Sequence, residues 1–222
     1  MAAEPDPAEP GTAGHPRGAR GEQTRRAILD AAIARFGQDG YRSTSVAHIA
    51  RDAGVGGTLV YAYFPNKEAL FLAALDEDAA MVIDQGVSSL IEHPETGAWR
   101  ESLILTLVDA LEQRPLARRV LAGLEPHATD RMLDIPAMAE LRKALAEQLR
   151  SDQAAGRVRP DIDAVAIANG AVVIVIAILM SVLQFGRDGV AAYGPDVLAV
   201  FAAALDPVAP PAAPPAPRTR RP

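Results

Sequence analysis

The sequence predicts an all-α protein in two parts: a small N-terminal three-helix domain containing a helix-turn-helix, and a larger C-terminal helical domain. Apolar residues recur at helical spacing through most of the 222 residues, and Gly and Pro interrupt them at helix-length intervals. Residues 41–70, YRSTSVAHIARDAGVGGTLVYAYFPNKEAL, read as two short amphipathic helices around a glycine turn, followed by the start of a third helix. Charge is also divided. Residues 17–67 carry eight Arg/Lys against four Asp/Glu, and residues 68–206 carry eleven against twenty-one. A basic head on an acidic body suits a protein that meets a polyanion with one end.

Residues 1–21 mix Pro, Gly, Ala and charge without periodicity and read as a disordered tail. The tail reads as a solvated spacer, with Arg17 and Arg20, near its end, as the alternative of an arm reaching a DNA minor groove. From Arg25 to Gln38, Ile28, Leu29, Ala32, Ile33 and Phe36 make one apolar stripe, closed by Gly40. Thr44 or Ser45 can cap the next helix, whose Val46, Ile49, Ala50 and Ala53 share a face. Gly54 stands where a helix end needs positive φ. The second helix of the pair runs from about Gly57 to Phe64, and Pro65 stops it. These elements form a domain over 22–68.

The runs TRRAILDAAIARFGQDGY, TSVAHIARDAGV and LVYAYFPNKEALF resemble the DNA-binding region of TetR-type transcriptional repressors over about residues 22–72. Gly40-Tyr41, Ile49-Ala50, Ala53-Gly54-Val55, Tyr61, Tyr63-Phe64, Lys67 and Leu70 fall at the family's spacing. The resemblance implies that the helix from Gly57 to Tyr63 reads DNA, and that Thr44, Ser45 and Lys67 bind phosphate. Tyr61 and Tyr63 divide between packing and phosphate contact. The chain departs from the pattern at Gly56, where Ser is usual, and at Gly57, often polar. The reading face is then Gly56, Gly57, Thr58 and Ala62, with the Thr58 hydroxyl and the two methyls as its base-contacting groups.

The C-terminal domain is expected over 69–206. Helices read at 67–91, 98–113, 116–124 and 137–155, with residues 125–136 as a polar, irregular connection. Ala164 to Gly186 carries no charge over 23 residues, which is long enough to span a bilayer. Asn169, Gly170, Ser181 and Gln184 interrupt it, and the surrounding amphipathic helices describe a soluble bundle, so no membrane is expected. Periodicity alone leaves AVVIVIAIL open as helix or buried strand. A final helix follows Pro195. Residues 207–222 read as a proline-rich disordered tail. The resemblance makes 162–185 and 195–205 the homodimer interface.

With no Cys, neither a disulfide framework nor a Cys-based zinc site is possible. Four scattered His show no metal-ligand spacing. Glu125, His127, Asp130 and Asp134 form a polar cluster that reads as a solvated connection. No catalytic constellation and no phosphate-binding glycine loop is seen, so an enzyme is not expected, nor any cofactor. The N-terminus lacks an apolar signal stretch, and a cytoplasmic location is expected. The expected function is a dimeric transcriptional regulator on a pseudo-palindromic duplex operator, most simply a repressor released by a small-molecule effector. Trp99, Asn169 and Gln184 are weak candidates for contacting that effector. The alternative is a ligand-independent dimeric DNA binder.

Overall fold

A computed structural model of the chain describes residues 16–92, 99–129 and 131–207. Over these residues the chain is helical with connecting turns, and AVVIVIAIL lies inside a helix, which closes the strand alternative. The helices are α1 (Pro16–Ser43), α2 (Val46–Asp52), α3 (Gly57–Tyr63), α4 (Lys67–Glu92), α5 (Trp99–Glu112), α6 (Pro115–Leu121), α7 (Pro126–Thr129), α8 (Ala137–Ala154), α9 (Ala164–Phe185), α10 (Arg187–Ala191) and α11 (Gly194–Leu205). A 3₁₀ turn spans Met132–Asp134. The chain divides into two compact units, 1–74 and 75–222.

In the first unit, α1 carries the expected stripe: Ile28, Leu29, Ala32 and Phe36 are buried. The helix starts at Pro16, so residues 16–21 are helical, and the irregular tail expected over 1–21 is not irregular at its end. Arg17 and Arg20 therefore belong to a helix, not to an extended arm. Residues 1–15 and 208–222 lie outside the described residues. Gly40 breaks the helical path at φ 80, ψ 168, a conformation an L side chain rarely adopts. Phe36, Tyr41 and Phe71 form a ring cluster with centroids 5.1–6.1 Å apart, two of the pairs edge-on.

In the second unit, α8, α5 and α6 all pack on α9. Asp163 caps α9, its carboxylate accepting from the Val165 and Ala166 N–H groups at 2.8 and 3.3 Å. The segment expected to be irregular at 125–136 contains α7 and the 3₁₀ turn. Its Glu125 is buried, not solvated. It accepts from Arg119 Nε at 2.7 Å. The sequence suggested otherwise because the partner sits six residues upstream on α6. Asp130 lies outside the described residues.

Candidate functional site

The α2–α3 pair is built around two different starts. At α2, Ser45 is the cap, its Oγ accepting from the His48 N–H at 3.2 Å. Thr44 is turned inward, 3 % exposed, and its hydroxyl donates to the Gly40 carbonyl at 2.8 Å. The Thr44 side chain thus fixes the entry to α2, and Ser45 is the hydroxyl nearer solvent. Gly54, at φ 68, turns the chain so that the Val55 N–H reaches the Ala50 carbonyl at 2.9 Å. Arg35 of α1 ties to Asp52 at the end of α2, and that hydrogen bond, chiefly, holds the Asp52 carboxyl below its usual range.

Helix α3 starts at Gly56 with no side-chain cap and ends at Phe64, extended before Pro65. Val60 is its buried residue. Gly56, Gly57, Thr58, Leu59, Tyr61 and Ala62 are exposed. A Cβ at Gly56 or Gly57 would meet nothing within 4 Å, so packing does not require these glycines. What they provide is a bare backbone that a partner can approach closely. Tyr61 points outward at 53 % exposure, whereas Tyr63 is half-buried, its hydroxyl beside Gly21.

Lys67 opens α4, where the Asn66 Oδ1 accepts from the Ala69 N–H at 2.8 Å. The Lys67 Nζ lies 4.5 Å from the Tyr41 ring centroid, which steers a long, flexible cation. Together, Ser45, the outward side of α3 and Lys67 give two capped helix starts, a cation and a nearly bare helix. Anions favour such starts because N–H groups there lack intrahelical partners. Sequence reasoning missed Asn66 as a cap, although Asn directly before an apolar-periodic run is such a signal. It also missed Arg25, whose guanidinium sits 5.5 Å from the Phe64 ring, a contact that no local pattern announces.

In the second unit, a slim cavity of about 50 Å³ has sixteen lining residues, and all are apolar. Leu75, Ala79 and Val82 of α4 face Ala117 and Leu121 of α6 across it, with Ile176 of α9 in the wall. The three sequence candidates for effector contact are not brought together there. Asn169 and Gln184 are exposed on α9. Trp99 is buried, and its Nε1–H donates to Asp152 at 2.8 Å, a structural bond. Sequence reasoning sought polar groups for an effector site, and the residues lining this cavity are all apolar.

Helix α9 has two apolar faces. Ala168, Val172, Val175 and Leu179 are buried in the unit, while Val165, Val173 and Ile174 are 44–52 % exposed. Of the most apolar stretch, 28 % is buried. Val200 of α11 is likewise exposed.

Residues 28–74 match the family of bacterial regulatory proteins, tetR family. Among curated relatives, the HTH-type transcriptional regulator RutR of Escherichia coli is 47 % identical over 51 residues, covering 23 % of this chain and 24 % of its own. The uncharacterized HTH-type transcriptional regulator YuxN of Bacillus subtilis is 32 % identical over 95 residues, covering 42 % of this chain and 32 % of its own. The chain thus spans a third or less of the length of these relatives. A solved TetR-family transcriptional regulator from Mesorhizobium loti aligns over 84 % of this chain and 98 % of its own, with TM-score 0.66 and 24 % identity, which shows a shared fold.

Proposed function

We propose that this chain, a member of the tetR family of bacterial regulatory proteins by its N-terminal domain, is a homodimeric transcriptional repressor of the cytoplasm that an apolar effector releases from DNA. It acts by binding, not by catalysis. The observation that carries this reading is the exposure of α3: one of its seven residues is buried, and its outward side is Gly57, Thr58, Tyr61 and Ala62. A helix packed for stability alone would bury a full stripe.

In this reading α3 enters the major groove. Ser45, Tyr61 and Lys67 contact phosphate, while Thr44 holds the entry to α2. The Thr58 hydroxyl and the methyls of Thr58 and Ala62 meet base edges. The open faces of α9 and α11 pair with those of a second copy, so that two reading helices sit about one DNA turn apart on a pseudo-palindrome. The effector enters between α4 and α6 and favours a state that cannot hold DNA, which requires tighter binding to that state. The all-apolar lining selects an aliphatic or aromatic ligand.

The narrowness of the cavity favours a second reading, a ligand-independent dimeric regulator, because about 50 Å³ holds less than a typical effector. The experiment is selection of duplex DNA from a random pool, followed by release with a panel of apolar compounds. A recovered palindrome supports the regulator. Release by a panel member supports the effector, and failure of every member favours the second reading. Recovery of no preferred sequence overturns both.

A further inference from the structure

Residues 207–222, PVAPPAAPPAPRTRRP, join an apolar, proline-rich stretch to a basic cluster of Arg218, Arg220 and Arg221. The stretch leaves the second unit from a tied root. The Arg159 N–H donates to the Leu205 carbonyl at 2.8 Å, and Arg100 Nη1 donates to the Asp206 carboxylate at 2.9 Å. The Arg100 guanidinium lies 5.8 Å from the Trp99 ring centroid. Trp99 donates to Asp152 at 2.8 Å, and Asp152 also accepts from Gln148 of α8 at 3.2 Å. Four contacts, each 5.8 Å or less, thus lead from Asp206 to Gln148.

Gln148 is the last residue of α8 to line a groove of about 420 Å³ between α8 and the end of α4. The apolar part of the groove includes Ile91 of α4 and Ala144 of α8. Ile91 is 71 % exposed, so this wall is wet. Glu140, Lys143 and Glu147 of α8 also line the groove, and all three are exposed. None of the three is in an ion pair among the described residues. The groove therefore offers apolar surface and two unmatched carboxylates, with one cation between them.

We propose that residues 208–222 dock along this groove of their own chain, the proline-rich stretch against Ile91 and Ala144 and the arginine cluster beside Glu140 and Glu147. The lengths match. From Gln148 to Glu140 the groove follows about 12 Å of α8, at about 1.5 Å per residue. Residues 207–217, in the extended form that proline favours, cover about 34 Å at about 3.1 Å each. That leaves about 22 Å for the path from Asp206 to Gln148, and it brings Arg218 to the Glu140 end. Three guanidinium groups then meet two carboxylates, and Lys143 opposes the pairing. Each surface ion pair is weak by itself. The tether offsets this, because a short linker gives its far end a local concentration on the order of millimolar. Proline also limits the chain freedom lost on docking.

The test uses the full chain. It has no Cys, so Thr219→Cys carries a single nitroxide label. In nuclear magnetic resonance spectra the amide signals of Ile91, Glu140 and Ala144 should lose most of their intensity to the label, more than the rest of the second unit. They should recover in about 1 M salt, where the screening length falls to about 3 Å. Glu140→Gln combined with Glu147→Gln should reduce the loss, and Lys143→Ala should deepen it. These positions are exposed, so the substitutions leave the packing of α8 intact. Ile91→Ser should reduce the loss as well. Intensity loss that is spread evenly, or centred away from the groove, overturns the proposal. Loss that ignores the paired Glu variants and Lys143→Ala overturns the charge pairing that places the arginines. In a mixture with nitroxide and isotope on separate chains, the groove signals should keep their intensity. Loss in that mixture assigns the tail to a second copy and overturns docking on its own chain.

Discussion

Helices α3 and α9 both leave much of their surface uncovered, and the two surfaces have opposite chemistry. On α3 the exposed side chains are small, or end in a hydroxyl, apart from Leu59. On α9 they include Val165, Val173 and Ile174, with Phe185 at its end 72 % exposed. Water tolerates the first surface, which can wait for a polar partner and release it. The second surface costs roughly 25 cal/mol for each Å² of apolar area left wet, so it calls for permanent cover. On the proposed function, the difference separates a reversible contact with DNA from a lasting one with a second copy.

The strongest way to break that contrast is to charge the open face of α9. Ile174→Asp should convert a micromolar dimer to monomer in equilibrium sedimentation, because the charge would be desolvated without a partner. Operator affinity should then fall by about 100-fold or more, since two linked reading heads lose their mutual effective concentration. Ile176→Asp is a different experiment, because Ile176 is buried within its own unit and its loss threatens the fold. A stable Ile174→Asp dimer would move the interface off α9.

The next test falls on the α3 side. Lys67→Ala should weaken specific and nonspecific DNA alike, and lower the salt slope by about 0.9. A changed sequence preference with an unchanged slope would make Lys67 a reader of bases.

A smaller effect separates one carboxylate of each unit. Asp52 is held low in pKa by its exposed bond to Arg35, whereas burial pushes Asp78 above its usual value against two N–H bonds and nearby Arg114. The signs are opposite. Between its unfolded and its raised folded pKa, Asp78 binds more protons folded than unfolded, so stability falls as pH rises through that window. Asp52 adds stability above its unfolded pKa, lost as pH falls through its lowered folded value. Asp78→Asn should remove the loss on the alkaline side of the carboxylate range in melts across pH, and Asp52→Asn should not. Equal slopes in wild type and Asp78→Asn would show that Asp78 does not titrate differently on folding.

The first unit was largely legible in the sequence because its signals are local. Ser45 precedes its helix, Gly54 marks a positive φ, and Ile28, Leu29, Ala32 and Phe36 repeat at helical spacing. The inward turn of Thr44 was not legible, since its hydroxyl can either cap the helix that follows or bond back to the Gly40 carbonyl, and the sequence does not choose between the two. In the second unit the long helices were legible, and the contacts between them and the lining of the cavity were not. Asp78 reaches its partners 38 and 39 residues away, and Trp99 reaches Asp152 at a separation of 53. Asn169 and Gln184 were chosen for polarity within an apolar run, but that run has two faces and they occupy the open one.

The smallest expected effect concerns the start of α1. On the proposed function α3 offers few groups to base edges, and a good bidentate pair, worth about 1–3 kcal/mol, needs side chains this helix lacks. DNA shape and flanking contacts must then supply part of the specificity. Because Pro16–Gly21 is helical and Gly21 lies beside the Tyr63 hydroxyl, the exposed Arg20 projects from a helix that runs past the end of α3. Two truncations separate tail from helix. Removing residues 1–15 should leave the ratio of specific to nonspecific affinity unchanged if the reading group is Arg20. Removing residues 1–21 should lower that ratio modestly, measured at one salt concentration, and Arg20→Ala in the full chain should reproduce the loss. If neither truncation changes the ratio, the start of α1 has no reading role, and Thr58 with the deformability of the duplex must account for the discrimination. If the loss appears already on removing 1–15, the tail carries the contact and Arg20 does not.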